Sequence, residues 1–215
     1  MRTSYLLMIL CFISASCFSQ NRNTEISHYI LPEFREGIVS MKAGGKNVTM
    51  LNYNSLTEEM IFDTNGKKLA IDKLDDIDAI YIDERKFIPL QNKFVEILYQ
   101  NKYEVYAAHK CSWVDPGKPA AYGGTSQTSA TTSYTSIIGG GQVYELALPE
   151  GITTKPYTEY WLRKDGKLSL FINIRQLSKQ FDDKSDIFKK YVKEHKVTYE
   201  NQDSLIELIK YMEQQ

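Results

Sequence analysis

Residues 77–108 read IDAIYIDERKFIPLQNKFVEILYQNKYEVYAA, and this stretch decides the fold class. Residues 77–82 alternate between apolar and polar side chains, which is the period-two pattern of a half-buried β-strand. Three further β-rich runs follow at residues 85–90, 94–99 and 103–108, separated by short connections. Such short links force neighbouring strands to pair antiparallel, because a parallel pair needs a crossover of about a dozen residues or more. The stretch therefore predicts consecutive antiparallel strands.

The β-rich pattern extends on both sides of this stretch, from residue 35 to residue 172. Asn65-Gly66 and Asp165-Gly166 each stand between apolar runs, and these dipeptides favour tight hairpins because both residues tolerate positive φ. We expect about nine or ten short strands, arranged as an antiparallel β-meander or a small open barrel. Pro89 should stand at a sheet edge or a strand end, since proline cannot donate to the hydrogen-bond ladder.

Toward the C-terminus the apolar period changes from that of a strand to that of a helix. From Ile174 onward apolar residues recur at helical spacing, and Ser185 and Asn201 are placed to cap the second and third helices. Such short helices are expected to pack on one another or on the sheet. The sequence therefore predicts an α+β fold, with a β-rich domain at residues 35–172 followed by two or three short helices in a C-terminal segment, residues 173–215.

Composition argues against some classes of function. The 215 residues include 26 Lys and Arg against 27 Asp and Glu, a net charge of -1, whereas nucleic-acid binders usually show a basic excess. The chain has three His and three Cys. Cys111, two residues after His109, is interpreted as a small buried thiol on a strand. A zinc site needs three or four ligands, so we expect neither a metal site nor a cofactor.

Residues 1–19 (MRTSYLLMILCFISASCFS) have the three-part layout of a secretory signal peptide. Arg2 gives a positive start, residues 6–13 form an unbroken apolar run of eight, and small residues follow. The apolar run is too short for a stable transmembrane span, which needs about 20 residues. We therefore expect the protein to be exported.

Two processing routes are open at this terminus. Cleavage near Ser19-Gln20 would release a soluble protein that begins with a polar lead-in at residues 20–34. Alternatively, Cys17 would be the lipid-carrying cysteine of a lipoprotein. Residues 14–17 (SASC) resemble a lipobox in their small residues but lack its leucine. Contact with a membrane is expected only in the lipidated form.

Residues 115–141 (DPGKPAAYGGTSQTSATTSYTSIIGGG) differ from the rest of the β-rich domain, because small residues dominate and charge nearly disappears. A loop this long is usually functional or disordered. Trp113, Tyr122, Gln127 and Tyr134 lie in or beside it, and aromatic rings near amides and hydroxyls suit a glycan or a peptide. These four residues form the candidate ligand-binding set. A flexible loop and an extra ordered hairpin are the alternatives.

The sequence contains no recognisable catalytic motif. It has neither a nucleophile elbow nor a His-Glu-x-x-His zinc helix, so no catalytic residue is assigned. Five Asp residues lie between positions 72 and 83, and a solvated turn and strand face is favoured there over a calcium loop. We expect a non-enzymatic module that binds a protein partner or a glycan. The alternatives are a hydrolase acting on envelope or external polymers and a purely structural assembly protein.

Three segments carry a resemblance to a known group of proteins. Residues 79–87 (AIYIDERKF), 121–129 (AYGGTSQTS) and 160–167 (YWLRKDGK) together resemble uncharacterised exported proteins of Bacteroidota. The resemblance covers most of the chain after the signal peptide. It implies a bacterial envelope setting, with export to the periplasm, the outer membrane surface or the extracellular space. The group has no established activity, so the resemblance transfers no catalytic residue.

Overall fold

Tight antiparallel hairpins build most of this protein. The computed structural model describes residues 28–114, 118–119, 125–126 and 153–215. The strands are β1 (Arg35–Met41), β2 (Lys46–Asn54), β3 (Glu59–Thr64), β4 (Lys67–Ala70), β5 (Ile77–Ile82), β6 (Arg85–Leu90), β7 (Lys93–Gln100), β8 (Glu104–Val114), β9 (Lys118–Pro119), β10 (Thr125–Ser126), β11 (Thr153–Lys164) and β12 (Lys167–Phe171).

Ten of these strands form one open sheet, in the order β12-β11-β8-β7-β6-β5-β1-β2-β3-β4, and β9 pairs with β10 separately. Every pairing is antiparallel. The sheet therefore consists of two meanders, β1–β4 and β5–β8, which join through the β1–β5 pair, with the β11–β12 hairpin added to β8. The α+β prediction with an antiparallel β-meander is confirmed.

The hairpin turns have the backbone geometry that their sequences favour. Both residues of Asn65-Gly66 have positive φ, at 54° and 81°, and so do both residues of Asp165-Gly166, at 52° and 75°. Gln91-Asn92 turns in the same way, with φ of 51° and 63°, although this dipeptide is a weaker turn signal. Local sequence is thus sufficient to place these three hairpins.

Pro89 lies at the end of an interior strand. It is next to last in β6 and pairs with Phe94 of β7. The pairing of β6 with β5 has already ended at Phe87, opposite Ile80, so the ladder on that side needs no further donor. The prediction of a strand end is confirmed, and the strand itself is not an edge of the sheet.

The sheet is strongly curved, as a direct contact between β2 and β7 shows. In a flat sheet these two strands, four places apart in the order, would be separated by about 19 Å. Nevertheless the Tyr53 hydroxyl of β2 donates a hydrogen bond to the backbone oxygen of Phe94 at 3.3 Å. The Tyr53 ring also stacks on that of Phe87, with ring centroids 5.8 Å apart. We call the face that carries Tyr53 and Phe87 the inner face.

Two hydrophobic cores cover the inner face. The first core lies between the two halves of the curved sheet, from β1 to β7. Its buried side chains are Val39, Leu51, Tyr53, Met60, Ile77, Ile80, Ile82, Phe87 and Phe94. In the second core, side chains of β8, β11 and β12 pack against the helical segment, as the sequence predicts.

The helical segment consists of α1 (Ile174–Ser178), α2 (Ser185–His195) and α3 (Gln202–Gln214), with a 3₁₀ segment at Lys179–Lys184. Asn201 caps α3, since its side chain accepts a hydrogen bond from the Ser204 backbone N–H at 3.0 Å. The predicted cap at Ser185 is wrong: Ser185 is the first helical residue, and Lys184 precedes it without a side-chain cap. Within the described ranges, no helix combines the length and the apolar character needed to cross a bilayer.

From His28 onward the polar lead-in is fixed to β2. The Asn52 side chain donates to the backbone oxygens of Leu31 and Glu33, at 2.9 and 3.2 Å, and accepts from the Leu31 N–H at 3.2 Å. Ser55 binds the backbone oxygen of His28 through both its N–H and its hydroxyl. These bonds satisfy buried amide groups that would otherwise be costly.

Gly37 of β1 provides a test of the close packing on the inner face. A Cβ atom at this position would lie 2.6 Å from the Tyr81 backbone oxygen and 2.7 Å from Leu51 Cδ1. Because strand backbone cannot yield as a flexible side chain does, we expect Gly37→Ala to lower the free energy of unfolding by about 2 kcal/mol or more in urea denaturation. Val48→Thr, at an exposed position of β2, should change it by less than about 0.5 kcal/mol. Equal effects of the two substitutions would contradict this packing.

Candidate functional site

The connection from β4 to β5 frames an opening on the inner face. Because β1, β2 and β3 lie between β4 and β5 in the sheet, residues 71–76 must carry the chain from one side of that group to the other. We call residues 71–76 the strap. It is held at both ends: the Ile71 N–H donates to the Met60 oxygen, and the Asp76 oxygen accepts from the Lys42 N–H, each at 2.9 Å.

A cleft of about 880 Å³ lies between the strap and the strands β1–β5. Val39 and Ile77 are buried in its walls, whereas the other apolar lining residues are half-buried. The apolar side chains that line the cleft are Val39, Met41, Phe62, Leu69, Ala70, Ile71 and Ile77. The polar ones are Asn47, Thr49, Glu59, Thr64, Asp72, Lys73 and Asp76. This size and this mixture of apolar walls with a few polar groups are typical of small-molecule sites.

A second group of charged side chains is a cluster on the inner face of β6, β7 and β8, in which Glu96 is buried and Arg85 and His109 are half-buried. Arg85 binds both carboxylate oxygens of Glu96, from Nε at 2.8 Å and from Nη2 at 2.6 Å. His109 Nε2 lies 2.6 Å from Glu96 Oε2 and 3.0 Å from Arg85 Nη2. A proton on Nε2 accounts for the shorter contact, because a lone pair facing a carboxylate at that distance would be repulsive.

This cluster holds its carboxylate in the ionised form. Burial alone would raise the pKa of Glu96, but the hydrogen bonds from His109 and Arg85 outweigh burial and lower that pKa to about 2. A general acid needs a pKa near the working pH. Glu96 is therefore suited to fixing three strands rather than to donating protons.

The buried thiol of this region is not activated either. Cys111 lies in β8 and is buried, as the sequence predicts, and its thiol is free within the described part of the chain. Burial raises the pKa of its thiol, so the nucleophilic thiolate is disfavoured at neutral pH. Among the described residues, no three His, Cys, Asp or Glu side chains are grouped so that they could hold a metal ion.

No family model, no curated protein and no solved structure matches this chain. Its function therefore has to be inferred from the chemistry of its own side chains.

Of the predicted ligand-binding set, only the backbone of Trp113 lies within the described residues. The backbone of Trp113 pairs with Thr154 near the end of β8. Tyr122, Gln127, Tyr134 and the candidate lipidation residue Cys17 lie outside the described residues. The five Asp residues between positions 72 and 83 are all exposed, as expected of a solvated turn and strand face, and two of them line the cleft.

Sequence reasoning missed both the cleft and the cluster. The lining of the cleft comes from five strands and the strap, so no single segment shows it. The cluster left one local signal: Glu96 is the one charged residue in the apolar run FVEILY at residues 94–99. A charge at an inward position of such a strand needs a buried partner, but local sequence does not show that Arg85 and His109 supply it.

The low pKa of Glu96 predicts a specific acid sensitivity. The folded protein keeps Glu96 ionised down to about pH 2, whereas the unfolded chain binds a proton near its ordinary pKa of 4.5. The carboxylate therefore stabilises the fold fully above about pH 5, and that stabilisation, of about 3 kcal/mol, is lost as the pH falls from 4.5 toward 2. Urea denaturation at a series of pH values measures this loss.

Two variants isolate the contribution of Glu96 to this acid sensitivity. Glu96→Gln should be less stable at neutral pH by about 3 kcal/mol, because Arg85 loses its charge partner. In this variant the part of the acid-induced destabilisation that protonation of Glu96 causes should be absent. Glu84→Gln, at an exposed neighbouring position, should retain the native profile. An unchanged acid loss in Glu96→Gln would show that other carboxylates cause it.

Proposed function

We propose that this protein is a non-catalytic binding module that holds the apolar part of a ligand in the cleft between the strap and β1–β5. One observation carries the proposal: seven apolar side chains line an open cleft of about 880 Å³, and five of them, Met41, Phe62, Leu69, Ala70 and Ile71, are only half-buried. Leaving apolar surface accessible to water forgoes roughly 25 cal/mol for each Å². A ligand that covers these side chains recovers that free energy.

The chemistry of the neighbouring groups supports binding rather than catalysis. Glu96 is fully engaged by Arg85 and His109, and the Cys111 thiol is buried. No described observation favours the alternative of a hydrolase. The alternative of an assembly protein that docks through α3 also lacks support, because the apolar stripe Leu205, Leu208 and Met212 is buried in the second core.

The proposal includes an exported, bacterial envelope setting, while the protein or glycan partner expected from the sequence stays a prediction. The support comes from the signal-like residues 1–19 and from the resemblance to exported proteins of Bacteroidota. Cys111, which is free within the described part of the chain, is consistent with a fold whose stability comes from its cores rather than from disulfides.

Binding of a neutral apolar probe tests the proposed cleft. N-phenyl-1-naphthylamine fluoresces when it leaves water, and we expect saturable enhancement with one site per chain. Leu69→Asn combined with Ile71→Asn should weaken binding by at least about tenfold, because two apolar walls become polar. Fluorescence titration measures the dissociation constant, and circular dichroism confirms that the variants fold.

The matched control places the same change on the outer face of β2. Val48→Asn combined with Met50→Asn alters two exposed apolar residues outside the cleft, and binding should stay within about twofold of the native value. Loss of binding in the control, with retention in the cleft variant, would place the probe elsewhere and contradict the proposal.

The export part of the proposal has its own measurement. The intact mass of the protein from the envelope and medium fractions of its native host should match a chain that begins near Gln20 or Asn21, or an acylated chain that begins at Cys17. The first result identifies a soluble exported protein and the second a lipoprotein. A mass that corresponds to all 215 residues would contradict export.

A further inference from the structure

We infer that the ligand of the cleft is a cationic amphiphile, with one alkyl chain against the apolar walls and a protonated amine at the strap. This inference rests on the proposed function and deepens it, because it adds the charge of the ligand to its apolar character. The argument has three parts: where the charges of the cleft lie, whether they are already paired, and how exposed they are.

The charges that line the cleft are predominantly negative. They comprise the carboxylates of Glu59, Asp72 and Asp76 and the ammonium group of Lys73, a net charge of -2. The whole chain has a net charge of only -1, so the cleft is more acidic than the protein as a whole. A low-dielectric wall beside such charges concentrates their field in the cleft.

The carboxylates of the strap are available to a ligand. Neither Asp72 nor Asp76 forms an ion pair within the described part of the chain, whereas Glu96 and Glu159 on the central strands do. A bound cation would supply a partner without breaking an existing contact. An anionic head group, such as that of a fatty acid, would be repelled by the same residues.

The geometry also suits a head group that stays hydrated. Asp72 and Asp76 are exposed, while Val39 and Ile77 in the same cleft are buried. A ligand that follows this gradient places its alkyl chain against the strands and its amine in water beside the strap. The amine therefore keeps its hydration and avoids the desolvation cost that makes buried charges unfavourable.

A series of ligands with one chain length and different head groups tests this inference. Dodecylamine, dodecanol and dodecanoate compete with N-phenyl-1-naphthylamine for the full-length protein at pH 7. The two ionic ligands are used below their micellar concentrations and dodecanol below its solubility limit. At about 10 mM salt, where screening is weak, dodecylamine should bind at least about tenfold more tightly than dodecanoate, with dodecanol between them. At about 1 M salt the preference should shrink to about twofold or less.

Two pairs of substitutions assign the preference to the two strap carboxylates that line the cleft. Asp72→Asn combined with Asp76→Asn should reduce the amine-to-carboxylate preference to about threefold or less, with little change in dodecanol binding. Asp75→Asn combined with Asp78→Asn removes the same charge from exposed residues of the same run that do not line the cleft. This control should retain most of the preference.

The outcomes separate the two proposals. Equal or tighter binding of dodecanoate, or a preference that survives in Asp72→Asn with Asp76→Asn, would overturn the cationic assignment and leave the cleft as an apolar site. If the probe binds in the cleft but no alkyl ligand displaces it, a cationic amphiphile is also excluded as the ligand. An extended peptide that pairs with β4, the last strand in the described sheet order, then becomes the better occupant. Failure of the probe itself to bind would overturn the proposed function together with this inference.

Discussion

The packing of Tyr53 against the β6–β7 hairpin is the interaction on which the rest of this structure depends. The Tyr53 ring of β2 stacks on Phe87, and the Tyr53 hydroxyl donates a hydrogen bond to the Phe94 backbone oxygen. These contacts connect β2 with β7, which lies four places away in the sheet. The resulting curvature turns the β1–β5 strands into the walls of a cleft. It also brings Tyr53 to the charge cluster, since its ring lies edge-on to that of His109 at 6.3 Å.

The charge cluster lies at the junction of the two cores. Glu96 pairs across the sheet with Phe87 of the first core and with Ala107 of the second. Burying a carboxylate there is costly unless it is fully paired, and Arg85 and His109 provide that pairing from the adjacent strands. The cluster therefore links the helix-covered half of the protein to the half that carries the cleft.

The sequence correctly predicted the structural features that depend on residues close together in the chain. The hairpins at Asn65-Gly66 and Asp165-Gly166, the cap at Asn201 and the buried face of α3 all follow from local patterns, and the structure confirms them. The β1–β5 pairing and the curvature join segments far apart in the chain, so hydrophobic periodicity could not show them. The same holds for the cleft, whose walls are distributed over five strands and the strap. The predicted set around Trp113 and Tyr122 stays a prediction, because its side chains lie outside the described residues.

The most direct test of the central claim is to locate a bound ligand by NMR. In a protein with labelled Val, Leu and Ile methyl groups, nuclear Overhauser effects from N-phenyl-1-naphthylamine should reach the methyl groups of Val39, Leu69 and Ile77, which line the cleft. Contacts confined to exposed residues such as Val48, or to the helical core around Leu205, would show that the cleft is not the binding site.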